Sequence, residues 1–123
     1  MLLDTHTLLW WLNDSPEITK SVGAALRSAG NAKFVSVVSI WEIRLKAALG
    51  KLDLPKNFRT VLDRQPIEQL PILPDHAHEF GELPLHHRDP FDRMLVAQAR
   101  VENLTMVTRD PRIREYDIAV LAA

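Results

Sequence analysis

Five short β-prone runs, separated by stretches of helical length, leave this chain few folds to choose from. Residues 1–3, 33–37, 67–72 (weakened by Pro71), 105–108 and 118–121 read as strands, the last as an edge strand. Helical patterns fill the gaps at 5–12, 18–29 (closed by Gly30), 39–49 (with Gly50 after it), 58–64, 75–83 and 90–102. Strands that alternate with helices build a mainly parallel sheet covered on both faces, an α/β architecture. With 123 residues, 46% of them hydrophobic, the chain is expected to form one domain, 1–123, around a substantial core.

Several function classes are excluded at once. There is no GxGxxG and no GxxxxGK[ST], which argues against dinucleotide and P-loop nucleotide binding. The absence of cysteine removes disulfides and thiolate metal sites. The longest apolar run, residues 8–12, is too short for a signal peptide or a membrane span, so a cytoplasmic location without membrane contact is expected. A net charge of −1 gives no overall basic field, yet arginine outnumbers lysine ten to five, which favours phosphate recognition through two oxygens at once.

The acids are distributed with more order. Asp4 ends the first run, and Asp110 immediately follows the run at 105–108. Ser39-Ile40-Trp41-Glu42 reads as an S-x-x-E capping box that puts Glu42 at the third helical position. In "HHRDPFDRML", Pro90 suits a first helical position, Asp89 the cap before it, and Asp92 the third position, where a carboxylate meets the positive helix end. A helix leaving a parallel strand starts at the sheet's C-terminal edge, and a helix leading into one starts there too. Asp4, Glu42, Asp92 and Asp110 should therefore share the edge where such folds place their ligand crevice. Each acid also has a local explanation, as a cap, a turn residue before Pro111 or the partner of Lys46. Four carboxylates in one crevice need a counter-charge, however, and a hard divalent cation such as Mg²⁺ supplies it.

Leu3-Asp4-Thr5-His6, Ser39-Ile40-Trp41-Glu42-Ile43, Asp92-Arg93-Met94-Leu95-Val96-Ala97-Gln98-Ala99 and Val107-Thr108-Arg109-Asp110 resemble, in order, the four acidic motifs of PIN domains. The similarity is to the VapC-like toxin ribonucleases of prokaryotic toxin–antitoxin pairs, and it covers the whole chain. It implies a three-layer α/β/α fold and Mg²⁺-dependent (Mn²⁺ as substitute) cleavage of RNA. It also implies a homodimer and inhibition by a small antitoxin partner. Asp4, Glu42, Asp92 and Asp110 take the catalytic and metal-holding places, with Asp89 as an extra acid of open role. On that chemistry the metal lowers the pKa of its bound water and neutralises charge on the phosphate, leaving 5′-phosphate and 3′-hydroxyl ends. Arg93 and Arg109 are candidates for RNA-backbone contacts, and Thr108 for the water network.

The remaining motifs have plainer readings. His76, His78, His86 and His87 are expected as exposed imidazoles, with His6 at the site edge. Trp10, Trp11 and Trp41 suit the core or a partner groove better than base stacking. Three alternatives stand beside the nuclease. A haloacid-dehalogenase-like phosphatase would need an acid where His6 stands, and a receiver-like phosphoacceptor would need an acidic pair and a late lysine that are missing. A non-catalytic interaction module whose acids only cap helices is separated by assaying Mg²⁺-dependent RNA cleavage and its loss in EDTA.

Overall fold

The computed structural model describes residues 1–123. The elements run β1 (Leu2–Leu3), α1 (Thr5–Leu12), α2 (Lys20–Arg27), β2 (Phe34–Ser36), α3 (Val37–Ala48), α4 (Phe58–Asp63), β3 (Glu68–Leu70), α5 (Pro74–Glu82), α6 (Pro90–Glu102), β4 (Met106–Thr108), a 3₁₀ turn (Ile113–Glu115) and β5 (Val120–Ala122). All four strand pairings are parallel, in the order β3-β2-β1-β4-β5. No helix is long and apolar enough to cross a membrane.

Alternation along the strands sorts the core into two layers. Leu2 and Met106 point to one face, where they meet Leu95, Val96 and Ala99 of α6 together with Leu83, Ile113 and Tyr116. Leu3, Val35 and Val107 point to the other, against Leu8 of α1, Val22 and Leu26 of α2, Ile43 of α3, and Phe58 and Leu62 of α4. The result is the three-layer α/β/α sandwich, with every strand parallel.

Strand order decides where a ligand can enter. The chain winds outward from β1 through β2 to β3, then returns to the other side of β1 as β4. The C-terminal ends of β1 and β4 therefore flank the topological switch point, where neighbouring connections diverge and leave a crevice.

Element boundaries differ from the sequence expectation in two informative places. The helix after β2 begins at Val37, not Ser39: Ser36 is its cap, and its hydroxyl accepts the Val38 N–H at 3.0 Å. Strand thus passes to helix with no loop, and Val37-Val38, β-prone in isolation, is helical because Val38 fills the core. The helix expected over 18–29 is shorter, and Ser28, not Gly30, ends it. Gly50 does take the left-handed conformation after α3, with φ 72°.

Candidate active site

Backbone capping delivers the acids to the switch point. Asp4 is the N-cap of α1, and its Oδ1 accepts the Thr7 N–H at 2.8 Å. Its Oδ2 accepts the buried Thr108 hydroxyl at 2.6 Å, a bond from the end of β4 to the end of β1. The same hydroxyl accepts the Asp110 N–H at 3.1 Å, so Thr108 holds two acid-bearing segments together. Asp89 caps α6, with its Oδ1 accepting from Phe91 and Asp92 N–H at 2.8 and 3.2 Å, and Asp92 stands at the third position of that helix.

Glu42 arrives by a different route from the capping box. It sits in the second turn of α3, buried, with Oε1 accepting the Thr5 hydroxyl at 2.7 Å. Its Oε2 pairs with Lys46 Nζ at 2.7 Å. The Ser39 hydroxyl, expected to cap, instead lies 3.0 Å from the Thr5 hydroxyl.

A crevice of about 570 Å³ opens over these groups, lined by Asp4, Thr5, His6, Trp10, Glu42, Lys46, His87, Asp89, Asp92, Arg109, Asp110, Pro111 and Arg112. All four expected acids and Asp89 line it. A slightly larger cavity of about 620 Å³, between the C-terminal end of α6 and the start of β5, contains none of them.

Five carboxylates face Lys46, Arg109 and Arg112 across this crevice, and the imbalance falls on Asp92. Burial first, then the charges of Asp89, Glu42 and Asp4, push its carboxyl up to about 7, against a smaller opposing pull from His87. Asp110 goes the other way. Burial pushes it up, but hydrogen bonds from the Arg112 backbone and guanidinium and from His87 outweigh that and hold it below the usual carboxylate range. Lys46 is raised, mainly by its hydrogen bond to Glu42.

His87 is the residue that sequence reasoning missed. Expected in solvent, it is buried, and its Nε2 lies 2.9 Å from Asp92 Oδ2 and 3.1 Å from Asp110 Oδ2. The loop before α6 carries it back over the helix start, where its Nδ1 accepts the Asp89 N–H at 3.1 Å. The only sequence signal was position, two residues before the cap. His76, also expected in solvent, is fully buried and accepts the Leu73 N–H at the start of α5, away from the acids.

The arginines part company. Arg93 turns away from the acids: it donates to the Phe80 and Leu83 carbonyls and lies 4.6 Å over the Phe80 ring, joining α6 to α5. Arg109 stays at the crevice rim, 4.4 Å over the Trp10 ring, donating to the Ala123 carbonyl and to both the carboxylate and the carbonyl of Glu17. Arg112, exposed beside Asp110, also reaches the rim. Trp41 is not core: it is 57% exposed and meets Phe91 edge to face at 4.8 Å.

Fold and crevice together define a parallel α/β protein with an acidic site at its switch point. Comparison with known proteins gives that class a family. The chain belongs to the PIN domain family, whose profile matches residues 1–119. No curated protein sequence matches it. Among solved structures it is similar to VapBC2 from Rickettsia felis bound to a DNA fragment from its promoter, with a TM-score of 0.76 and 17% identity over 98% of this chain and 96% of that one. FitAcB from Neisseria gonorrhoeae gives a TM-score of 0.70 at 23% identity, covering 98% and 95%. VapBC-5 from Mycobacterium tuberculosis, a member of the VapBC family of toxin–antitoxin systems, gives 0.65 at 18% identity, covering 99% and 97%.

Proposed function

We propose that this chain is a divalent-metal-dependent ribonuclease and the toxin of a toxin–antitoxin pair. One observation carries the nuclease reading: acids from four separate segments converge on the switch-point crevice with more negative charge than their partners offset. Capping accounts for Asp4 and Asp89, but not for a buried Glu42 or for an Asp92 whose carboxyl is raised to about 7. That mismatch, with an all-oxygen donor set, fits a hard cation.

Asp4, Asp92, Asp110 and Glu42 would hold Mg²⁺ or Mn²⁺, with Asp89 available beside them. When bound, the cation supplies a water of lowered pKa and neutralises charge developing on the phosphate. The chain's own groups do the rest. Thr108 keeps Asp4 and Asp110 in register, and Thr5 and Lys46 fix the Glu42 carboxylate. Arg109 and Arg112, which line the crevice beside Asp110, present cations to the RNA backbone. Attack by water leaves the RNA 2′-hydroxyl without a role, so 5′-phosphate and 3′-hydroxyl ends are expected.

The toxin role rests on the PIN family and on the similarity to VapBC structures, one of which, VapBC-5, is named as a member of the VapBC family of toxin–antitoxin systems. A small antitoxin is the expected partner, and a homodimer the expected assembly. The test is to incubate the purified, partner-free chain with total RNA and Mg²⁺ and to map the new 5′ ends. Cleavage lost in EDTA and in Asp4→Asn supports the reading; intact RNA, or cleavage that persists in both controls, rejects it. Expression alone should arrest growth, and co-expression of a neighbouring small inhibitor should relieve it.

A further inference from the structure

His87 lies within reach of two of the acids just assigned, and the trio His87, Asp92 and Asp110 has the spacing of a metal-binding group, with ligand atoms within 4.8 Å of one another. An imidazole there can be a ligand or a hydrogen-bond donor, and the ring's other nitrogen discriminates. A metal-bound histidine donates its second N–H to a carbonyl, carboxylate or water. Here Nδ1 faces a donor, the Asp89 backbone N–H at 3.1 Å, and must therefore accept. The proton then resides on Nε2, donated to Asp110 Oδ2 at 3.1 Å, with Asp92 Oδ2 2.9 Å from the same nitrogen. To ligate a metal through Nε2 the ring would have to give up its only N–H, or the loop would have to surrender the Asp89 contact.

We propose that His87 is a positioning residue and not a metal ligand: its Nε2–H is donated to Asp110 while the same nitrogen lies against Asp92, and this fixes the spacing of the two carboxylates for the cation. The inference rests on the metal-site reading above. Three anchors hold the ring. The His87 backbone N–H donates to the buried Tyr116 hydroxyl at 3.0 Å, Nδ1 takes the N–H of the α6 cap, and Nε2 spans the gap from α6 to the segment after β4. One side chain thereby ties the start of α6 to the turn at Asp110, two segments that the sheet alone does not hold together. Each carboxylate keeps its Oδ1 out of this contact. On Asp92 that oxygen is left for a cation; on Asp110 it accepts from Arg112 as well.

The test uses Mn²⁺ as the probe on the whole RNA-free chain. Mn²⁺ affinity is measured for wild type, His87→Gln, His87→Asn and His87→Ala, with circular dichroism confirming that each variant folds. Glutamine places an amide N–H₂ near the imidazole Nε2; asparagine is too short to do so. Loss of an outer-shell partner of metal ligands weakens binding by about 10–100-fold. His87→Ala and His87→Asn should fall in that range, and His87→Gln should stay close to wild type. Pulsed electron paramagnetic resonance of the Mn²⁺ complex should show no ¹⁴N coupling from a directly bound imidazole.

A ¹⁴N coupling in wild type that disappears in His87→Gln makes His87 a ligand and overturns the proposal. Wild-type affinity in His87→Asn and His87→Ala overturns it too, as does equal weakening in Gln and Ala, which would point to packing and not to the donor. Failure of the metal reading looks different: wild type itself would bind no Mn²⁺, and both proposals would fall together.

Discussion

Asp92 carries the clearest electrostatic signature in the molecule, and its titration has a definite sign. Its folded carboxyl titrates at about 7 against an ordinary 3.8, so the folded state prefers the protonated form. That preference favours folding fully below about pH 4 and is lost as pH rises through about 7, leaving a repulsion penalty at higher pH. Asp92→Asn should match wild-type stability at pH 4 and exceed it at pH 8 in EDTA, by about 2 kcal/mol once the ~1.4 kcal/mol per unit is discounted for the carboxyl's partial exposure. Urea unfolding at the two pH values checks the sign. The same variant should lose nuclease activity. A second residue-scale outcome concerns Thr108, whose hydroxyl serves Asp4 and the Asp110 N–H. Thr108→Val keeps the shape but strands both partners, at a cost of about 1–3 kcal/mol. Thr108→Ser should recover most of it, as chemical denaturation would show. At this scale Asp4, Asp89, Asp92 and Asp110 were legible in the sequence because each serves, or stands beside, a cap or strand end with a recognisable pattern, whereas Glu42 was singled out through a capping box that the structure does not form. His87 was not legible. A histidine has no local signature, and its burial depends on Tyr116, 29 positions away, accepting its backbone N–H.

At the scale of elements, existence and type could be read, but junctions less well. Each helix that positions an acid follows its strand or loop through a capping side chain: Asp4 for α1, Ser36 for α3 and Asp89 for α6. The S-x-x-E pattern put the start of α3 at Ser39. Burial decided otherwise, since starting at Val37 puts Val38 in one core layer and Ile43 in the other. The consequence for function is that Glu42 lies six residues, about 9 Å of helix rise, past the cap, and reaches α1 through Thr5 instead of the helix end. Ser36→Ala should therefore cost about 1 kcal/mol by removing the cap bond. Ser39→Ala should cost less, because Thr5 keeps its shorter bond to Glu42. Thermal unfolding of the pair ranks them, and the reverse order would restore the capping box.

At the scale of the whole molecule, alternation of strands and helices was enough to give a covered parallel sheet and one acidic edge, but not the strand order. Order depends on pairings such as Leu2 with Phe34 and Leu2 with Met106, 32 and 104 residues apart, which no local pattern encodes. It is this order that puts the switch point between β1 and β4 and so turns an acidic edge into a crevice. The four acids shared an edge in the sequence reading; the fold adds Thr108 and His87 as the ties that make them one site. If they are one cation site, metal binding must stabilise the folded chain by mass action, by about 1.4 kcal/mol at a free concentration ten times Kd. For a chain of this size that is roughly a 5 °C rise in Tm. Thermal melts at pH 8 in excess Mg²⁺ and in EDTA read this directly. Wild type should melt roughly 5 °C higher with Mg²⁺, and Asp92→Asn should melt alike in both. Identical wild-type melts in Mg²⁺ and EDTA, with the metal in clear excess, would contradict the claim that these carboxylates form a metal site.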